Sequence, residues 1–322
     1  MARKYFWILF LCIGFSLGWF VMWVSMSEGE STDRSCLKKY PLISREIDCT
    51  TIDETADQIE GLQKQTQRII DEETKNGNIV RGSVFFRDLN SRRWFGINDT
   101  ITMYPASLIK LPVAIMYYKV AELDASILNQ ELAVPTEDAN DNQFYQPPKN
   151  PLTPGKSYAI RDMIEHMIRY SDNAPFTPLM NASQVFHNKI LSDLGVYKPA
   201  TDEEGESWNI TTKSYANIFR TLYNASYLNV EYSSEILETL SQSTFKDGIV
   251  AGVPSNVRVS HKFGEGMGVT SEGEEKTHVL NDCGIVYKED APYILCVMTE
   301  GKDFPALEKV IQRIAETSYT AL

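Results

Sequence analysis

The sequence predicts an α+β fold: an α/β sandwich whose five-stranded antiparallel sheet is flanked by the N- and C-terminal helices and carries an inserted all-helical lobe. Three observations lead there. Strand-like runs gather at the two ends of the globular part, in residues 79–104 and 257–300. The stretch from about 159 to 243 has helical spacing. Helical patterns at 55–75 and 303–319 open and close this part of the chain. The order is therefore helix, two strands, helical block, three strands, helix. Early and late strands combine in one sheet, and two lobes leave a cleft between them, where binding sites concentrate.

Each element has its own signal. In 55–75, Ile59, Leu62, Ile69 and Ile70 supply the apolar positions of a helix. IVRGSVFFRDL (79–89) and RRWFGINDTITMY (92–104) read as strands, and the turn signal NSR between them makes a hairpin. YPASLIKLPVAIMYY (104–118) reads as an apolar helix. Residues 133–157 are rich in Pro, Asn and Asp and read as loop. Helical patterns follow at 159–180, 183–195, 211–228 and 233–243. VRVSHKFG (257–264), HVLNDCGIVY (278–287) and PYILCVMTE (292–300) read as the last three strands, before the closing helix.

Ahead of the globule, residues 5–26 carry no charged side chain and are long enough to cross a bilayer as a helix. Arg3 and Lys4 precede this run, and Glu28, Glu30 and Asp33 follow it. The positive-inside rule then leaves the N-terminus in the cytoplasm and the remainder outside, on the cell-envelope or periplasmic side. An uncleaved anchor is favoured over a cleaved signal peptide, because the run exceeds an ordinary signal core and no small-residue cleavage site follows. The expected organisation is an anchor or signal at 1–26, a polar linker at 27–54 and a globular domain at 55–322. Within that domain, 55–106 and 245–322 form the α/β lobe and 107–244 the mainly helical one.

Bulk properties narrow the function. At 43% hydrophobic and 11% aromatic residues the chain is not a disordered one. A net charge of -12 argues against nucleic acid as a partner. The four histidines form no pairing with cysteine at zinc-site spacing, so neither a metal nor another cofactor is expected. Of the five cysteines, Cys12 lies in the apolar run as filler, and Cys36 and Cys49 bracket a short loop across which they can pair. Cys283 and Cys296 are equidistant from the turn KEDAP and can face each other across a hairpin; buried free thiols are the favoured expectation for that pair.

One residue is out of place. Lys110 sits among Leu108, Ile109, Leu111, Val113 and Ile115. A buried amine lacking a partner answers with a lowered pKa, which makes it a base, and Ser107 one turn earlier is the hydroxyl such a base activates. Ser-x-x-Lys also occurs at Ser35/Lys38 and Ser243/Lys246, but only Ser107 follows a strand and Pro105 and opens an apolar helix. Read alone, Lys110 more often packs its stem and sends its head to solvent. Two further segments shift the balance: Ser171-Asp172-Asn173 at the end of a helical pattern, and Lys262-Phe263-Gly264 on a strand.

These three segments, in this order, resemble the S-x-x-K, S-D-N and K-T-G set of class A β-lactamases and penicillin-binding proteins, over about residues 55–320. The resemblance implies a membrane-anchored serine acyl-hydrolase acting on a small-molecule β-lactam, or on a related amide such as a peptidoglycan stem peptide. It implies Ser107 as nucleophile, Lys110 as its base, and Ser171 as proton relay to the leaving nitrogen with help from Lys262. It implies that Asn173 binds the substrate amide and supports Lys110. Backbone N–H groups of Ser107 and Glu265 would form the oxyanion hole, with Gly264 allowing close approach. Asp172 and His261 read as structural.

Two departures stand out. Phe263 replaces a hydroxyl residue that in this family helps to bind the substrate carboxylate. The loop that should carry a deacylating glutamate in the pattern E-x-x-L-N is LGVYKPATDEEGESWNITT, which looks short. Glu206 precedes Asn209 by three positions rather than four, and Trp208 replaces the leucine; Glu203 and Glu204 are other choices, and a solvated acidic loop is the plainer reading. Without that base the acyl-enzyme turns over slowly, as in a penicillin-binding D-Ala-D-Ala peptidase-like enzyme. A non-catalytic cell-wall or β-lactam sensor is the third reading.

Overall fold

A computed structural model describes residues 52–141, 143, 145–183, 186–196, 210–269 and 276–322. The expected anchor at 1–26, nearly all of the linker, the cysteines Cys12, Cys36 and Cys49, and the acidic residues Glu203, Glu204 and Glu206 lie outside the described residues. Among the described residues no helix is long and apolar enough to cross a membrane.

Helix α1 (Ile52–Lys75) leads into β1 (Ile79–Asp88) and β2 (Trp94–Ile97). A 3-10 turn, Ala106–Ile109, feeds α2 (Lys110–Ala121). The inserted part continues with β3 (Glu131–Ala133), β4 (Ser157–Ala159), α3 (Ile160–Arg169), α4 (Phe176–Ala182), α5 (His187–Asp193), α6 (Thr212–Tyr223) and α7 (Val230–Ser241). Strands β5 (Val259–Val269), β6 (Lys276–Val286) and β7 (Tyr293–Gly301) precede α8 (Phe304–Ala321). The main sheet has five strands in the order β2-β1-β7-β6-β5, all its neighbours antiparallel. Strands from the two ends of the chain thus meet at the β1–β7 pair.

Alternation along β7 shows why the sheet is coated on both faces. Ile294, Cys296 and Met298 join the apolar core shared with the inserted helices, whereas Tyr293, Leu295 and Val297 join the core under α1 and α8. Helix α2 is buried from Lys110 through Tyr118. A helix apolar on all sides belongs in the middle of a lobe. Helix α8 starts cleanly because Asp303 accepts a hydrogen bond from the Ala306 N–H (2.8 Å).

Four local expectations change. The second strand stops at Ile97, not at 104, because Asn98 adopts φ 51° and is tied back by its side-chain bond to Gly82 O (2.8 Å). The inserted lobe is not helical throughout: Glu131–Ala133 pairs with Ser157–Ala159 in a short antiparallel ribbon. Ser107 does not sit on the apolar helix but in the 3-10 turn before it, and α2 begins at Lys110. Cys283 and Cys296, favoured as free thiols, are joined by a disulfide. The β6–β7 register sets them directly opposite each other in the buried face of the sheet, closer than the spacing from the turn alone conveys.

A buried hydrogen-bonded pair ties the sheet to the segment entering β5. Asp282 on β6 and His261 on β5 are both fully buried; Asp282 Oδ1 lies 2.8 Å from His261 Nδ1, and Asp282 Oδ2 accepts the Ile249 N–H (2.8 Å). Asp282→Ala should therefore lower stability by roughly 2–5 kcal/mol, since it strands two buried groups. Urea unfolding measures this, and a loss below about 0.5 kcal/mol would count against a stabilising role for the pair.

Candidate active site

The turn bearing Ser107 is held from the sheet side. Asn281 on β6 donates from Nδ2 to Tyr104 O (3.0 Å) and Pro105 O (3.3 Å). Tyr215 of α6 donates to Leu108 O (2.9 Å), and Leu108 N–H returns to Pro105 O (3.1 Å). Ala106 takes φ 49°, a left-handed conformation that a residue with a Cβ adopts at a cost. This strained residue immediately before Ser107 turns the chain sharply at the mouth of a cleft. The cleft has a volume of about 520 Å³, and Ser107, Lys110, Asn173 and Glu265 all line it. Ser107 is half-buried, and its hydroxyl makes no hydrogen bond among the described residues.

Lys110 points inward. It is 3% exposed, and its Nζ donates to Ser171 O (2.5 Å) and Asn173 Oδ1 (2.5 Å), with Ser171 Oγ at 3.4 Å. No hydrogen bond joins it to the Ser107 hydroxyl; the two groups share the cleft wall. Burial draws the amine down to about 7, while the nearby charges of Asp172 and Glu265 pull the other way. At neutral pH a large fraction of this amine is unprotonated. In that form its two N–H bonds satisfy Ser171 O and Asn173 Oδ1, and one lone pair remains.

The Ser171-Asp172-Asn173 segment is the hinge of the site. Helix α3 ends at Arg169, and Ser171 takes φ 56°, which sends the chain across the cleft floor. Asp172 is fully buried and aims away from the reactive groups. Its carboxylate accepts from Leu152 N (2.7 Å), Ala174 N (2.9 Å) and Asn140 Nδ2 (2.9 Å). Asn140 closes a second bond, accepting the Asn173 N–H on its Oδ1 (2.9 Å). Asn140 thus fixes the segment, although the polar run TEDANDN gave no pattern that separated it from its neighbours. The two asparagines and the aspartate keep Ser171 Oγ fully buried and facing both lysines.

Lys262 reaches the same oxygen from β5. Its Nζ donates to Ser171 Oγ (2.9 Å) and Phe263 O (2.8 Å) and lies 4.4 Å from the centre of the Phe263 ring. The ring itself stacks on Phe245 at 4.4 Å. Phe263 therefore supports the buried amine with its π face, where a hydroxyl would have faced the cleft. Burial, then repulsion from Lys110, holds the Lys262 amine well below the ordinary lysine range.

Gly264 and Glu265 complete the strand edge. A Cβ at Gly264 would lie 2.6 Å from Pro105 O and 3.0 Å from the backbone nitrogens of Ser107 and Leu108, so only glycine lets β5 approach the serine turn. Glu265 adds a side chain beside the cleft. Its Oε1 accepts the Gln146 N–H (3.1 Å), the Tyr145 N–H also bonds the carboxylate, and burial raises its pKa. Ser107, Lys110, Ser171, Asn173, Lys262, Gly264 and Glu265 thus converge, while Glu206 lies outside the described residues. Among the described residues no three His, Cys, Asp or Glu side chains gather into a metal site.

A serine-bearing turn, a buried lysine of depressed pKa and a serine shared by two amines meet at one cleft of a two-lobed α/β frame. The chain belongs to the beta-lactamase enzyme family, which it matches over residues 61–322. Solved structures share the fold. A mutant of PBP-A, determined as an acyl-enzyme complex with penicillin G, superposes with a TM-score of 0.66 at 18% identity, covering 82% of this chain and 96% of that one. A β-lactamase from Sphaerobacter thermophilus gives 0.66 at 19% identity, covering 80% and 95%. A variant of the extended-spectrum β-lactamase TLA-1 gives 0.67 at 16% identity, covering 82% and 98%. No curated protein matches the chain.

Gly264→Ala tests the close approach. Its methyl group should push β5 off the serine turn and slow acylation by penicillin G by roughly 100-fold, the scale of losing one oxyanion donor. Circular dichroism checks that the fold survives, and an unchanged acylation rate in a folded variant would contradict the argument.

Proposed function

We propose that this protein is a serine acyl-hydrolase of the class A β-lactamase type, which opens a β-lactam or related amide through an ester on Ser107. The observation that carries the proposal is the buried Lys110 amine, drawn down to about 7 in the same cleft as an unengaged serine hydroxyl. Neutral Lys110 takes the Ser107 proton as Oγ bonds to the carbonyl carbon. The developing oxyanion is received by the backbone N–H groups of Ser107 and Glu265. Collapse breaks the carbon–nitrogen bond; Ser171 passes its hydroxyl proton to the leaving nitrogen and recovers one from Lys110, 3.4 Å away, while Lys262 at 2.9 Å stabilises the serine oxygen. Asn173 orients Lys110 and offers its amide to the substrate. Water then cleaves the ester. The penicillin G acyl-enzyme of PBP-A supports the same chemistry here.

Slow deacylation, as in a penicillin-binding D-Ala-D-Ala peptidase-like enzyme, is the second reading, because the loop with Glu206 departs from the E-x-x-L-N pattern. Glu265 is the sole carboxylate among the described residues lining the cleft, and it is engaged with Gln146. Fast hydrolysis would then rest on Glu206 or its acidic neighbours. We also propose an extracytoplasmic location, with residues 1–26 as the membrane anchor. The Cys283–Cys296 disulfide supports it, since such bonds persist in oxidising compartments.

Intact-mass spectrometry of the full chain with penicillin G tests the chemistry. An adduct on Ser107, absent in Ser107→Ala, is expected; no adduct, or one on another residue, would overturn the proposal. Its decay over time separates rapid hydrolysis from a lasting acyl-enzyme. The pH profile gives an independent check. Only the unprotonated amine accepts a proton, so acylation should rise with pH and reach half its plateau near the Lys110 value of about 7. Lys110→Met should remove this limb and slow acylation on the order of 10²–10⁴-fold; a profile flat from pH 5 to 9, on the order of two units either side, would exclude Lys110 as the base.

A further inference from the structure

The charge arrangement of the cleft bears on what it accepts, given the acylation reading above. Two amines lie near Ser107, and neither has a proton to spare for a ligand. Lys262 spends its donors on Ser171 Oγ and Phe263 O and presents the rest of the ammonium to the Phe263 ring. Lys110 spends its donors on Ser171 O and Asn173 Oδ1. No arginine lines the cleft among the described residues. Glu265 brings the opposite charge, its carboxylate held in place by the backbone N–H groups of Gln146 and Tyr145. The surrounding wall is apolar and aromatic: Tyr104, Tyr145, Phe176, Met267 and Phe304.

We propose that Glu265 is a specificity-determining residue that selects acyl donors bearing a protonated amine or an N–H donor near the reacting carbonyl, and disfavours those bearing a carboxylate there. A cationic group is attracted to the Glu265 carboxylate in the cleft wall. A carboxylate meets a like charge in a partly desolvated cleft whose two amines are already hydrogen-bonded within the protein. The aromatic wall suits an apolar flank on the same ligand. This inference rests on the acylation reading, but the charge preference is measurable separately.

Three forms of one β-lactam serve as probes: penicillin G (anionic), its methyl ester (neutral) and its diethylaminoethyl ester (cationic). Acylation rates of the full chain are read by intact mass. The cationic ester should react about tenfold or more faster than the free acid, with the methyl ester between them. Glu265→Gln should shrink that ratio to near unity, a change in selectivity that a purely structural role for Glu265 would not produce. A fastest reaction with the free acid, or a ratio unchanged in Glu265→Gln, overturns the proposal. Should no form acylate the chain, the reading of Ser107 as nucleophile fails, and calorimetric binding of the same probes to Ser107→Ala still decides the charge question. Tighter binding of the cationic ester, lost when Glu265→Gln is added, supports it; equal binding, or none by any form, overturns it.

Discussion

Two lysine amines converge on one buried serine hydroxyl, and among the described residues neither lies within ion-pair distance of a carboxylate. That arrangement is costly. Burial opposes charge on both amines, and repulsion from Lys110 adds to it at Lys262, so protons leave at a pH well below the ordinary lysine range. The fold sustains the arrangement because each amine approaches from a different rigid element: Lys110 from the first residue of a largely buried helix, Lys262 from the edge strand of the main sheet. The Ser171 hydroxyl between them is fixed by a left-handed turn whose neighbour, Asp172, is anchored by three donors. Reactivity at this site is therefore a property of how the two lobes meet.

The sheet supplies the second constraint. Gly264 permits β5 to lie against the serine turn, and Asn281 on the adjacent strand holds the carbonyls of Tyr104 and Pro105. The backbone nitrogens of Ser107 and Glu265 come from these two juxtaposed segments. The buried His261–Asp282 pair sits one position before Lys262 and opposite Phe263, so the strand that carries the site is itself pinned from beneath. Phe263 fits the same scheme: its ring is a platform for the Lys262 amine and a packing partner for Phe245.

Much of this was legible in the sequence because the signals are local. A lysine amid apolar residues, a Ser-Asp-Asn at a helix end and a Lys-x-Gly on a strand each announce themselves within a few residues, and their order carries the family resemblance. The five strands followed from their apolar runs and turn signals. What escaped depends on long-range geometry. Strands of three residues such as Glu131–Ala133 form only because Ser157–Ala159 is brought alongside. Asn140 gains its role from folding onto Asp172 and Asn173, distant in sequence. The disulfide depends on register, which spacing about a turn only suggests. The direction of the Lys110 amine, toward Ser171 and Asn173 and away from a direct bond to Ser107, depends on a 3-10 turn that periodicity does not distinguish from a first helical turn.

The protonation of the two buried amines is the central claim, and NMR of lysine side chains labelled with carbon-13 and nitrogen-15, assigned with Lys110→Met and Lys262→Met, measures it directly. A Lys110 side chain titrating near 7 in the folded protein, with Lys262 also well below the solvent-exposed lysines, is the result this account predicts. Both amines holding their protons up to about pH 10, as ordinary lysines do, would contradict it.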